Sequence, residues 1–363
     1  MSQLLLRLEE QLLTERDTYR CAELRAKRAA YWARIGRFPE TRAEIADIRQ
    51  VFGDGRSGRV TAFVMLAEAL VEYYEKLTIM AADRVARARF LGQAMKDREV
   101  IALASAWLSY FDFERSKFDL AIANVRQAGE YASPDNHAAW TRCAIVLLNC
   151  FALCGDATSS QHWFQKGREH ALKEGDQASI EALLHSKAVF GVAWLRAQWA
   201  RDDVDSAAIA RSRLEVSSAR NLQKLARIAA HESYIDLADA RLLILEGKFA
   251  EALEALEMIS DGGPFPAGHF NDELLGLDKA FCLVSLGKAD GAFEVFELSK
   301  ATPSAHTDVD DRLVAAWMSY KLAIADTRFG SAEAAAAELK TATAEHDSTT
   351  HLLRDLLQPF MKS

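Results

Sequence analysis

The sequence predicts an all-α fold arranged as an α-solenoid, and two observations carry that reading. The first is composition. Of 363 residues, 63 are Ala and 43 are Leu, whereas Gly (18) and Pro (6) are scarce. Two strong helix formers thus supply more than a quarter of the chain and the two helix breakers are thin, which excludes disorder, collagen-like repeats and most β architectures. The second is a recurring pattern: a helical run, a small turn residue, a two-residue step, then a second helix opening with Ala. Taking the turn residue as anchor gives positions 36, 81, 116, 155, 202, 247, 287 and 330, a mean spacing of 42 residues. That length holds two helices of about four turns and two short connections.

Taken in order, residues 2–19 form a leading helix with Leu5, Leu8 and Leu12 at helical spacing. The clearest copies of the pattern are Gly247-Lys248-Phe249-Ala250-Glu251-Ala252-Leu253, Gly287-Lys288-Ala289-Asp290-Gly291-Ala292-Phe293 and Ser116-Lys117-Phe118-Asp119-Leu120-Ala121-Ile122. Gly36-Arg37-Phe38 and Gly155-Asp156-Ala157 open the same way, and weaker copies start at Ala81, Asp202 and Gly330. Gly or a small polar residue allows a tight turn with positive φ. Ala five residues later lets the second helix approach the first, and the bulky residue between them plugs the end of the hairpin. A final helix over 348–361 carries Leu352, Leu353, Leu356, Leu357 and Phe360.

This pattern resembles the tetratricopeptide repeat (TPR), with its turn Gly, following aromatic, Ala opening the second helix and Pro closing the unit. Pro134, Pro264 and Pro303 fill the Pro slot. The resemblance covers about residues 20–345, and units of 35–47 residues are longer than the family's 34, closer to TPR-like regulator and sensor modules. It implies a right-handed superhelix of about eight antiparallel helix pairs in which each pair contacts mainly its neighbours. The expected organisation is a single domain over 1–363, with an N-terminal cap at 1–20, repeats at 21–346 and a C-terminal cap at 347–363. Breaker runs at 53–58, 261–268 and 301–311 separate units without tethering domains.

No motif assembles into a catalytic or metal-binding set. Gly53-x-Gly55-x-x-Gly58 matches a dinucleotide fingerprint, but the segment before it, with Ile45, Ile48 and Phe52, reads as a helix where the motif needs a strand. Cys143, Cys150 and Cys154 share one helix face and read as core. His231-Glu232 lacks the second His of a zincin, since position 235 is Ile235. Asp202, Asp203 and Asp205 read as helix-starting acids. No cofactor, metal or enzymatic activity is expected.

Charge and leader segments bound the setting. The net charge is −8, and acids are interspersed among the basic stretches Arg20, Arg25, Lys27, Arg28 and Arg34, and Arg84, Arg87, Arg89, Lys96 and Arg98. Nucleic-acid binding is therefore not the favoured reading. No 18-residue apolar run occurs, residues 1–13 are broken by Arg7, Glu9 and Glu10, and five Cys form no paired framework. These point to a cytoplasmic protein without a membrane span.

Function is then expected from a surface. The TPR resemblance places one first-helix position, six residues before each anchor, in the concave groove. Here that row reads Ala30, Glu75, Tyr110, Asn149, Arg196, Arg241, Phe281 and Ile324. Tyr110, Asn149, Arg196, Trp199 and Arg241 are the candidate partner-binding residues, with the arginines able to grip a carboxylate. The leading expectation is a non-enzymatic scaffold or adaptor taking a peptide or helix of a protein partner in that groove. Alternatives are a ligand- or peptide-responsive regulator of a partner enzyme or transcription factor, and a nucleic-acid-binding α-solenoid. The apolar stripes of the terminal helices also suggest a homodimer.

Overall fold

The computed structural model describes residues 2–52, 57–76, 80–226, 232–262, 272–300 and 308–361. Among them lie seventeen α-helices and no strand. Helix α1 (Gln3–Thr14) leads. The pairs α2 (Thr18–Arg34) and α3 (Phe38–Phe52), α4 (Gly58–Lys76) and α5 (Ala81–Met95), α6 (Arg98–Glu114) and α7 (Phe118–Tyr131), and α8 (His137–Leu153) and α9 (Ala157–Glu174) follow. Then come α10 (Gln177–Trp199) and α11 (Ser206–Ala226), α12 (Glu232–Leu245) and α13 (Phe249–Gly262), α14 (Asp272–Ser285) and α15 (Ala289–Lys300), and α16 (Val309–Ala325) and α17 (Ala332–Leu357). The two helices of each pair pack on one another. Residues 53–56 of the glycine loop, His231, Pro264 and Pro303 lie outside the described residues.

The anchors do what their chemistry demands. Seven of the eight adopt positive φ, including two that are not glycine, Ser116 (55°) and Asp202 (56°). At most of them the next residue's N–H reaches a carbonyl five residues back, as from Lys117 to Asp112 and from Lys288 to Leu283, both at 2.8 Å. That bond closes the helix end only if the residue between is left-handed. Ala81 differs: it begins α5 directly after Met80. Five residues past their anchors, Ala121, Ala252 and Ala292 are wholly buried, so the paired helices meet at close range. Asp205 accepts the Ala207 N–H at 2.9 Å, the helix-starting role expected of that acidic cluster.

Most contacts join neighbouring helices, as expected of a solenoid, and a few reach further. Helices α2, α4, α6, α8 and α10 pack in succession, and the last returns to the first. Arg34 at the end of α2 donates to Asp176 Oδ2 (2.7 Å) and to Ser179 Oγ (3.0 Å) at the start of α10. Helix α1 sits over this junction: Ser2 Oγ and the Leu4 N–H both donate to the Gly175 carbonyl, at 2.7 and 3.1 Å. A second closed set follows, in which α10 also packs on α16. Helix α17 then runs back to the third and fourth pairs, where Arg354 donates to the Cys154 carbonyl (2.9 Å) and Trp163 Nε1 to the Phe360 carbonyl (3.0 Å). The reason is that the terminal apolar stripes find cover within the chain. Leu4, Leu5 and Leu8 are buried with Tyr31 and Trp32, and Leu353 and Leu357 with Phe151 and Cys154. Part of each stripe is thus covered within the chain, while Leu352 remains half exposed. The boundary expected at 346/347 falls inside the continuous helix α17.

No described helix is long and apolar enough to cross a membrane. Cys143, Cys150, Cys154 and Cys282 are buried, as expected of core thiols, and burial pushes Cys143, Cys154 and Cys282 each up to about 12 and Cys150 well above the usual thiol range. A thiol reagent at pH 8 should accordingly modify one thiol in the native protein, Cys21, and all five only after denaturation. Mass spectrometry of labelled peptides checks this, and rapid native labelling at Cys150 would contradict the core assignment.

Candidate ligand-binding site

The five residues expected along the groove do not form an exposed row. Asn149 is completely buried in α8, and neither its amide nitrogen nor its oxygen has a partner. Arg196 is buried at 1% exposure. It donates to Asp278, itself wholly buried, and Arg241 Nε donates to the other carboxylate oxygen at 3.2 Å. Trp199 packs at a tilt against Trp317 (ring centroids 4.1 Å apart) and edge-on against Phe281 (5.3 Å). The physical reason lies in later helices: Asp278 of α14 and Trp317 of α16 pack against Arg196 and Trp199 of α10. The two arginines meet a carboxylate, as their chemistry suggested, but it belongs to α14 of the same chain. With two cations sharing one anion in an apolar setting, burial and Arg241 together push Arg196 down to about 10.

Tyr110 is half-buried and partnered as well. Its hydroxyl hydrogen-bonds to that of Tyr73 at 2.7 Å, and its ring lies 5.1 Å from the guanidinium carbon of Arg142. Arg142 borders a cavity of about 430 Å³ at the centre of the first turn. The walls come from α1 (Leu4, Leu8), α2 (Ala30, Tyr31), α4 (Leu66, Leu70), α6 (Leu103, Trp107) and the start of α8 (Asn136, His137). The Arg34–Asp176 pair forms part of its rim. A cavity of this volume, its apolar walls interrupted by charged side chains such as Lys27, Glu99, Arg142 and Glu174, has the form of a ligand site.

Local sequence explains these positions. Asp176 caps α10 by accepting the Ser179 N–H at 3.0 Å and uses its other oxygen for Arg34. Burial opposes the Arg34 charge, and Asp176 more than restores it, so that guanidinium stays above its ordinary value. Asn136 caps α8 through Oδ1, accepting the Ala139 N–H. Arg142 packs flat on Trp107, its guanidinium carbon 3.7 Å from the ring centroid. Sequence reading passed over Arg142, though one signal marked it: it is the sole Asp, Glu, Lys or Arg among the seventeen residues of α8.

Both basic stretches are largely consumed internally. Arg25 and Arg28 pair with Glu44, Lys27 with Glu99, Arg84 with Glu68, and Arg89 donates to Asn124.

Two predictions follow from these contacts. Arg196→Ala strands Asp278 in the core beside Arg241 alone, so it should destabilise the protein by about 3–5 kcal/mol in denaturant titration rather than leave the fold untouched. Near the cavity, His137 and His170 face each other with their Nδ1 atoms 3.0 Å apart, a contact that requires at least one neutral ring. Burial first and His137 second hold His170 below its ordinary value of 6.5; Lys166, Lys173 and Glu169 complete its charged surroundings. Its contribution to stability is complete above about pH 6.5 and is lost as pH falls through the lowered value. Melting temperature should drop more steeply below about pH 6.5 in the wild type than in His170→Gln; parallel curves would refute the assignment.

Compared with known proteins, the chain matches no family model, no curated protein and no solved structure.

Proposed function

We propose that this protein is a non-enzymatic regulatory binding protein, a TPR-like right-handed superhelix of eight helix pairs. In this reading it takes a small molecule or the end of a peptide in the central cavity of its first turn. The observation that carries the reading is that cavity, bordered by five inner helices and α1 and lined by Leu, Trp and Tyr side chains together with several charged groups, the buried Arg142 guanidinium among them. A scaffold gripping a long segment along an open groove is favoured less, because Asn149 and Arg196, its expected contacts, are buried. A ligand that bridges α2, α6 and α8 stabilises the closed first turn, and the outer helices then offer a partner a surface whose geometry depends on occupancy. This reading assigns the protein to the ligand-responsive class rather than to a passive adaptor.

The test is thermal. A ligand present at about 100 times its Kd adds about 2.7 kcal/mol to the folded state. Screening metabolites and short peptides should find compounds that raise the melting temperature of the wild type. Ala30→Trp, which places a large ring in the cavity from α2, should keep the helical circular-dichroism spectrum and abolish the shift. A shift that survives in Ala30→Trp would place the ligand elsewhere on the molecule.

A further inference from the structure

Two hydrogen-bond donors on the wall of the first-turn cavity have no acceptor. Arg142 is 4% exposed, and its contacts are the faces of Trp107 and Tyr110, with neither a carboxylate nor a carbonyl against its N–H groups. Asn136 spends its oxygen on the α8 cap, and its Nδ2 is buried without a partner. Of the other cations at the cavity, Lys27 pairs with Glu99 and Arg34 with Asp176, and the exposed Arg98 donates to the Glu130 carbonyl. The less exposed carboxylates are paired too, Glu99 with Lys27, Glu174 with Arg7 and Asp176 with Arg34, whereas Asp135 stands exposed at the cavity. Arg142 is therefore a buried cation without a carboxylate partner, in a space walled by Leu4, Leu8, Leu66 and Leu103 and also by other charged side chains. Burying a guanidinium without an anion is costly, and the cost is removed if an anion arrives with the ligand. The amino end of α8, a seventeen-residue helix, adds favourable potential on the same wall.

Building on the cavity reading above, we propose that the ligand is an apolar or aromatic molecule ending in a carboxylate or phosphate, whose anionic end sits on Arg142. The Trp107 ring fixes the guanidinium plane from one face, leaving its N–H edge for a two-pronged contact. Asn136 Nδ2 supplies a further donor, and the leucines take the apolar body. Arg142 is thus the residue that selects charge, and the leucine wall selects shape.

Calorimetric titration with phenylacetate, 4-phenylbutyrate and phenyl phosphate, each set against the uncharged amides phenylacetamide and 4-phenylbutyramide, tests this. The wild type should bind the anions at least ~10-fold more tightly than the amides, the range expected for hydrogen bonds to a charged group. Arg142→Met, which keeps an apolar side chain against Trp107, should lose that preference while still binding the amides, and should melt no lower than wild type without ligand. Arg142→Lys should recover part of the preference. Equal affinity for anions and amides in the wild type, or a preference that persists in Arg142→Met, overturns the anion assignment and leaves the cavity reading standing. If no probe of either kind binds, or if binding persists in Ala30→Trp, the cavity reading itself fails. Whether phenyl phosphate or the carboxylates bind more tightly then identifies the natural headgroup.

Discussion

The Arg34–Asp176 pair is the contact on which the first half of the molecule depends. It joins residues 142 positions apart and brings the fifth helix pair against the first. The inner helices α2, α4, α6, α8 and α10 border one space, and this pair, together with α1, joins its two ends. Asp176 serves two masters at once, capping α10 with one oxygen and holding Arg34 with the other. The pair is well protected, with side chains 12% and 3% exposed. A buried pair of this kind is weak evidence for added stability but good evidence for a specified geometry.

The second turn answers the same geometric demand differently. Its centre is filled, with Asp278 on α14 drawing in Arg196 from α10 and Arg241 from α12, and Trp199, Phe281 and Trp317 packed beside them. The two turns therefore divide the labour. One holds an internal space with a spare donor, and the other is a solid polar-centred core against which α10, the longest inner helix at 23 residues, is braced. Helix α10 belongs to both, so a change in the first turn has a rigid element through which to reach the second.

Much of this was legible in the sequence. The anchor spacing located the hairpin turns, because a left-handed residue is a local requirement that Gly, or Ser116 and Asp202 in its place, must satisfy whatever the tertiary context. The Ala positions followed from close packing, and the cysteines from their shared helix face. The functional row was not legible. Placing Asn149 and Arg196 in an open groove assumed a shallow superhelix, and nothing in the local pattern states how far the inner face is wound. Asp278, three residues before the expected groove position Phe281, decided the fate of both arginines, and its role is visible only once α10, α12 and α14 are brought together. Arg142 was detectable as a single charge in an uncharged helix, but its missing partner is a property of the fold.

Helix α17 has a consequence for how the chain reaches this state. Its return to α7 and α8 makes contacts across about 200 residues, such as Arg354 to Cys154. A linear repeat array folds by growth from any unit, and its ends can fray independently because all pairings are short-range. Here the last helix cannot dock until the third and fourth pairs exist, and the first turn cannot close until the fifth pair does. Such non-local pairings raise the contact order, which slows folding relative to an open array and ties the termini into one cooperative unfolding unit. The molecule thus gives up the springlike extensibility of a repeat array for a clasped body.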